Sequence, residues 1–274
     1  MGMALAFEAP DAAPSLLPPL KWAGGKRWLI PHLLKYWRGH ERRRLVEPFV
    51  GGLAVTLGLL PTNALLNDAN PHLINLYHWL QRGLDLSAQG IDLSNDAAVY
   101  ARNRARFNEL IRDDASGSAE AAGLFYYLNR TGYNGLCRFN NRGFFNVPFG
   151  RYKKIMYRND FTAYRPLLEP YEIRSGDFGA LTLRPDDFVY ADPPYDVEFT
   201  SYSSGGFSWD DQQRLTTWLA AHTGPVIASN QATPRILKLY RSLGFKVTTL
   251  AAPRRISCDG NREDAREMLA IKGA

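Results

Sequence analysis

Only two cysteines, Cys137 and Cys258, occur in the 274 residues. That is too few for a disulfide framework or a cysteine-built zinc site, and it fits a reducing compartment. The histidines, His32, His40, His72, His78 and His222, show no metal-ligand spacing. No apolar run approaches the roughly 20 residues that a membrane span needs, and the first residues lack the basic-then-apolar pattern of a secretory leader. The expectation is a soluble, cytoplasmic protein with no membrane partner. The dinucleotide fingerprint G-x-G-x-x-G is missing, which argues against NAD or FAD. Arg27 follows Lys26 where a nucleotide-phosphate loop carries Ser or Thr, so the hydroxyl for Mg²⁺ is missing and the ATPase reading fails. There is no internal repeat.

What is present begins with charge and length. Lys plus Arg is 33 against 27 for Asp plus Glu, a net charge of +6, which favours a polyanionic partner. The length suggests one or two domains with a sizeable core. Residues 1–18, rich in Ala and Pro, read as a flexible tail. Beyond them, strand signals at Leu45–Pro48, Ala64–Asn67, Tyr171–Ile173, Phe188–Ala191, Pro225–Ser229 and Phe245–Leu250 alternate with helical signals at 53–60, 209–222 and 233–243. Alternating strands and helices predict an α/β fold with a mostly parallel sheet covered on both faces. Between about 71 and 158 the strand signals nearly vanish and helices are expected at 73–80, 99–111 and 119–128, followed by a Gly/Asn/Arg/Phe-rich stretch at 131–152. This shift predicts a mainly helical insertion at 71–158 within an α/β domain made of 19–70 and 159–274.

Three motifs carry chemistry. Asp192-Pro193-Pro194-Tyr195 follows the apolar run Phe188–Ala191, at a strand end where parallel sheets present ligands. Its prolines lack N–H donors and have fixed φ, so the carbonyls before the rings have stiff directions. A carboxylate, rigid acceptors and an aromatic face suit an exocyclic amine on a planar base; a strand end closed by a turn and an Asp cap is the plainer alternative. Glu47-Pro48-Phe49-Val50-Gly51-Gly52 follows a strand and opens a helix, which allows close backbone approach to a ligand. Asp68 ends the next strand, where an acid commonly meets ribose hydroxyls, although a tight turn with an Asp cap explains the same residues. Lys21-Trp22-Ala23-Gly24-Gly25-Lys26 sets two lysines around a Trp and a Gly pair, either a binding cluster or a solvated surface.

Taken in order, Lys21–Lys26, Val46–Val55, Leu66–Asn70, Asn129–Tyr152 and Asp192–Tyr195 resemble the DNA adenine methyltransferase (Dam) family over nearly the whole chain from 20 to 272. The resemblance implies a Rossmann-like methyltransferase fold with an inserted, mainly helical DNA-recognition domain bearing a β-hairpin. It implies S-adenosylmethionine as cofactor, no metal, and double-stranded DNA as partner to a monomeric enzyme. By the same resemblance Asp192, Pro193, Pro194 and Tyr195 form the catalytic tetrad. Trp22, Ala23, Gly24, Lys26, Glu47, Phe49, Gly51, Gly52, Asp68, Asp177, Phe178 and Asp192 are expected on the cofactor, with Asp177 and Phe178 at its adenine. Lys21 matches a lysine that reaches the DNA. Phe199 and Tyr202 are expected in a loop that closes over the flipped base, and Ser229-Asn230 in the pocket wall.

The stretch 131–152 carries the address. Its Gly and Asn density predicts a hairpin able to enter a groove. Arg138 is the natural reader of a guanine edge, Tyr133 a wedge where adenine leaves the stack, and Leu136 and Pro148 contacts for a thymine methyl. Asn134 belongs with the DNA-contacting residues, and Arg130, Arg142, Arg151, Lys153 and Lys154 either with the phosphates or with ordinary solvated surface. Tyr126, Tyr127 and Leu128 read as helix core, and Cys137 and Cys258 as packed or half-exposed thiols. Asp259–Asn261 reads as a turn between strands, with Arg254 and Arg255 near phosphates. The resemblance points to GATC as the site. A cytosine-N4 methyltransferase and a catalytically silent DNA-binding module are the alternatives; the first more often has Ser where Asp192 stands, and the second would have lost Asp192, Asp68 and Gly51.

Overall fold

The computed structural model describes residues 16–195, 207–252 and 265–274. Most of the expected tail, Phe199, Tyr202, Arg254, Arg255, Cys258 and the turn at 259–261 lie outside the described residues. In chain order the elements are α1 (Ile30–Trp37), β1 (Leu45–Glu47), α2 (Ala54–Leu59), β2 (Ala64–Asp68), α3 (Pro71–Arg82), α4 (Ala97–Arg112), α5 (Ala119–Thr131), α6 (Arg165–Leu168), β3 (Glu172–Ser175), β4 (Phe188–Ala191), α7 (Trp209–Ala221), β5 (Val226–Gln231), α8 (Pro234–Ser242), β6 (Lys246–Ala252) and β7 (Ala265–Lys272).

The seven strands form one sheet in the order β3-β2-β1-β4-β5-β7-β6. Strands β1 to β5 pair in parallel, and β7 runs antiparallel to both β5 and β6. This is the Rossmann-like methyltransferase arrangement. Period-2 alternation sorts the strand residues onto two faces. Leu45, Leu66, Phe188, Tyr190 and Ile227 join one buried cluster, which continues into α3, α4 and α5 through Tyr77, Phe107, Phe125 and Tyr127. Val46, Leu65, Val189, Ala191, Val226 and Ala228 join the other, against Leu215 and Leu219 of α7 and Ile236 and Tyr240 of α8. Tyr126, Tyr127 and Leu128 are fully buried, as expected of core.

Two helices, α1 and α6, escape the sequence reading, and β7 was implied only as the strand after the turn read at 259–261. The expected hairpin at 131–152 is also reduced. It consists of two isolated antiparallel bridges, Gly132 to Phe149 and Phe139 to Phe145, with no continuous ladder. Positive φ at Asn134, Gly135, Gly143 and Arg151 interrupts regular pairing there.

Candidate active site

Parallel pairing brings the ends of β1, β2, β3 and β4 to one edge of the sheet, so Glu47, Asp68, Gly176 and Asp192 converge although they are far apart in sequence. They line a cavity of about 610 Å³ together with Trp22, Ala23, Gly24, Lys26, Phe49, Gly51, Gly52, Asp177, Phe178, Pro193, Pro194 and Tyr195. Every residue expected on the cofactor or in the tetrad thus meets in one space of ligand size. Gly25, Phe207, Asp211 and Arg214 also line it.

The loops are tied together before any ligand arrives. Buried Asn67 on β2 donates to Pro48 O at 2.9 Å and to Gly176 O at 3.0 Å, which holds two cavity loops to the sheet. Gly51 has φ of 48°, and a Cβ on Gly51 or on Gly52 would meet the Trp22 side chain at 2.8 Å. Glycine is therefore required by contact with Trp22 as well as by backbone conformation. Asp68 accepts from Gly51 N at 3.1 Å and from Asn70 N at 3.0 Å, while burial pushes its carboxyl above the usual range. Glu47 is nearly inaccessible and accepts from the Thr56 hydroxyl. Burial, with the Asp192 charge adding to it, pushes its carboxyl up to about 8.

At the tetrad, Asp192 is held at both oxygens. Lys26 Nζ lies 2.9 Å from Oδ2, and Ser229 Oγ donates to Oδ1 at 2.8 Å. Lys26 is 3% exposed, also donates to Gly24 O at 2.7 Å, and sits 4.9 Å from the centre of the Tyr195 ring. Read in the sequence as part of the cofactor motif, it forms its ion pair with the Asp192 carboxylate. Ser229, expected to shape the pocket wall, also receives the Tyr190 hydroxyl contact at 2.8 Å. Glu267 of β7 lies 3.9 Å from Lys26 and was not foreseen. The Tyr195 hydroxyl and Glu267 Oε2 are buried without a hydrogen-bond partner among the described residues.

At the other end of the cavity Phe178 packs on Phe49 and Phe207, with ring centres 5.6 and 6.1 Å away. Arg214 lies 4.1 Å over the Phe178 ring and pairs with Asp177 through two contacts of 2.7 Å. That pairing holds the Asp177 carboxyl below its usual range. No local signal marks Arg214 in the sequence, because its partner lies 37 residues away.

The residues expected on DNA divide into two groups. Tyr133, Arg138, Pro148 and Arg151 are exposed, whereas Asn134 and Leu136 are half-buried and Leu136 packs against the core. Arg138 is engaged within the protein: Nε donates to Asn146 Oδ1 at 2.8 Å and Nη2 to Asn146 O at 3.3 Å. Arg130 turns inward and donates to Met156 O at 2.7 Å, while its Nε is buried without a partner. Lys21 donates to Arg130 O at 3.0 Å and lies 3.6 Å over Tyr152. Burial first, then the Arg130 charge, lowers its ammonium to about 8. Asn129 clasps Lys21 at both N and O and donates to Gly135 O at 2.9 Å, so the N-terminal motif is fastened to the segment 131–152.

Among the described residues no group of three His, Cys, Asp or Glu is arranged to hold a metal, and no helix is long and apolar enough to cross a membrane. The sheet order, with a strand-end carboxylate beside a glycine-lined cavity, defines a Rossmann-like methyltransferase. The chain belongs to the D12 class N6 adenine-specific DNA methyltransferase family, whose model matches residues 22–256. It is 36% identical to the DNA N-6-adenine-methyltransferase of Escherichia phage P1, over 92% of this chain and 35% of that protein. The chain therefore spans about a third of the phage enzyme's length. It is 36% identical to the DNA adenine methylase of Vibrio cholerae over 92% of this chain and 94% of that one. With a Type II methyltransferase of Lactococcus lactis it shares 35% identity over 88% and 89% of the two chains. The expected family, fold and adenine N6 chemistry with S-adenosylmethionine as methyl donor are borne out, and the cytosine and silent-module alternatives are set aside.

Proposed function

We propose that this chain methylates an adenine flipped out of duplex DNA, within GATC, acting as a monomer in the cytoplasm. The observation that carries the reading is the clasp on Asp192 at the mouth of the shared cavity. With Lys26 on one oxygen and Ser229 on the other, the carboxylate keeps one orientation and still has lone pairs to offer. Its role is to accept one N–H of the adenine amine, with Pro193 O accepting the other, which favours a pyramidal nitrogen with an available lone pair. Positioning and preorganised electrostatics then carry most of the rate.

S-adenosylmethionine supplies an electrophilic methyl group when bound. The residues present fit it: Asp68 has a buried carboxylate with free lone pairs for ribose hydroxyls, the Phe178 ring offers a face for its adenine, and Trp22, Glu47, Phe49, Gly51 and Gly52 enclose the methionine side. Arg214 already covers Phe178 and Asp177, so it is proposed to share or yield that face.

Extruding the base costs a few kcal/mol, and stacking on Tyr195 returns roughly 1–3 kcal/mol. Residues 71–158 form the proposed target-recognition domain between the catalytic parts 19–70 and 159–274. Arg138 is the proposed guanine reader, Tyr133 the wedge, and Leu136 and Pro148 the thymine contacts, with Lys21, Arg130, Asn134 and Arg151 as further DNA contacts. The test is to express the chain in a host without DNA methylation and read modified adenines directly by sequencing. Modification at GATC adenines supports the reading; modified adenines in another context retain the chemistry and overturn the site.

A further inference from the structure

The catalytic segment has an anchoring problem that follows from its composition. Pro193 and Pro194 bring no N–H, so the turn cannot be locked by donors of its own. Their rings fix φ, but ψ of Pro194 stays free, and that angle sets both where the Pro194 carbonyl points and how the chain leaves toward Tyr195. Something outside the segment has to hold it.

We propose that Gln212 of α7 is a positioning residue for methyl transfer, fixing the catalytic turn through the Pro194 carbonyl. Its Nε2 donates to Pro194 O at 2.9 Å. The Gln212 side chain is fully buried and does not line the cavity, so it acts without touching substrate. Its own orientation is fixed from the far side: Asn230 Nδ2 donates to Gln212 Oε1 at 2.9 Å, and Asn230 Oδ1 accepts from Gln231 N at 2.8 Å. An amide buried without partners is costly, and here both ends of the amide are used.

The geometry gives the arrangement a purpose. Ser229 and Asn230 are consecutive on β5; Ser229 holds the Asp192 carboxylate directly, and Asn230 holds Pro194 through Gln212. The first and third residues of the four-residue turn are therefore referred to one strand. Occupying Pro194 O also leaves Pro193 O as the carbonyl offered to the amine. Arg214, two positions along the same helix, holds Asp177, so α7 ties the catalytic turn to the far wall of the cavity.

This inference rests on the methyl-transfer reading, and the test separates the two. Gln212→Met keeps the length and apolar volume but removes the donor. Gln212→Glu restores a donor only when the new carboxyl is protonated, the form that burial favours. Transfer of labelled methyl to unmethylated genomic DNA, which holds every short site, is measured in single turnover from pH 6 to 8.5, with S-adenosylmethionine affinity by calorimetry and thermal midpoints alongside. Gln212→Met is expected to slow the chemical step roughly 10- to 100-fold, as small misplacements do, with cofactor affinity nearly unchanged. Gln212→Glu should match Gln212→Met at high pH and recover toward wild type as pH falls. The Glu variant carries the test alone if the Met variant does not fold. Chemical steps equal to wild type, or a Gln212→Glu profile parallel to wild type, overturn the inference. A wild type that transfers no methyl overturns the reading beneath it.

Discussion

Asp192 is tied into the protein more firmly than its proposed role as acceptor alone requires, and this changes how it should be tested. Removing the carboxylate by Asp192→Ala leaves Lys26, 3% exposed, as a buried cation without its main partner; losing one partner of a buried pair costs about 3–5 kcal/mol. An inactive Ala variant would then be ambiguous. Asp192→Asn keeps the shape and a carbonyl acceptor for Ser229 but gives up the charge beside Lys26. It is expected to cut methyl transfer by at least about 100-fold while cofactor binding survives, measured by single-turnover transfer and calorimetry. Transfer at wild-type rate would remove Asp192 from the chemistry. Lys21 allows a second test at the same scale. With its ammonium lowered to about 8, the charge is present at pH 7 and lost as pH rises through that value. If the protonated form meets DNA, affinity should fall between pH 7 and 9. Lys21→Arg, which stays charged, should flatten the profile. Equal pH dependence in both proteins, by fluorescence anisotropy, would place Lys21 away from the DNA.

At the scale of elements, the segment 131–152 is built to present side chains and not to extend the sheet. Asn129 at the end of α5 fastens it to Lys21, while Tyr133 N donates to Pro148 O at 2.9 Å and Gly150 N to Thr131 O at 2.9 Å. Arg138 meanwhile holds Asn146 with two donors, the fork it would otherwise offer to guanine O6 and N7. If Arg138 is the guanine reader, as proposed, recognition exchanges one pair of acceptors for another. Arg138→Ala should lose roughly 1–3 kcal/mol of discrimination at one base pair, and Asn146→Ala should leave the reader free and alter affinity far less. Transfer rates on duplexes changed one position at a time check this; a uniform loss across all duplexes for Arg138→Ala would make it a positioning residue. The elements that were legible in the sequence were those with local signals: β4 as an apolar run before Asp192, β1 as a run before a glycine pair, and the buried α5. The hairpin was over-read because glycine and asparagine density signals turns without distinguishing paired strands from bridged loops. Strand β7 was read only as an unplaced strand beyond the turn at 259–261, because its position between β5 and β6 depends on long-range antiparallel pairing, which no local pattern discloses.

Across the whole molecule the same limit recurs. Much of the cavity's inventory was readable because Glu47, Asp68, Asp177 and Asp192 lie at or just past strand ends, and parallel strands deliver their ends to one edge; the Lys21–Lys26 motif, which precedes every strand, was placed there only by resemblance. Most supports were not readable: Gln212, Arg214 and Glu267 reach the site from α7 and β7 through contacts that only the folded chain creates, and Ser229 of β5, expected at the pocket wall, was not expected on Asp192. Converging so many carboxylates has a thermodynamic consequence. Glu47, Asp68 and Glu267 are all pushed above their usual range by burial, Glu47 up to about 8 from a reference of 4.5. A group whose folded value is raised keeps its proton in the native state while the unfolded chain releases it. Its contribution to stability is complete below the unfolded value and is lost as pH rises through the folded one. Burial acts oppositely on His72, lowered from 6.5 to about 4, so below 6.5 the two trends offset each other. Above that, and below the value near 8 at which Lys21 begins to matter, the buried carboxyls should dominate. Ligand-free protein is therefore expected to lose stability between about pH 6.5 and 8, by no more than about 1.4 kcal/mol per pH unit from Glu47. Glu47→Gln carries no proton to lose and can still accept from Thr56, so its stability should be flatter across that window and exceed wild type near pH 8. Urea denaturation midpoints at half-unit steps of pH measure the difference. Parallel curves for the two proteins would mean that Glu47 is ionised in the folded state, stabilised by a cation that its contacts with Thr56 and Asp192 do not supply.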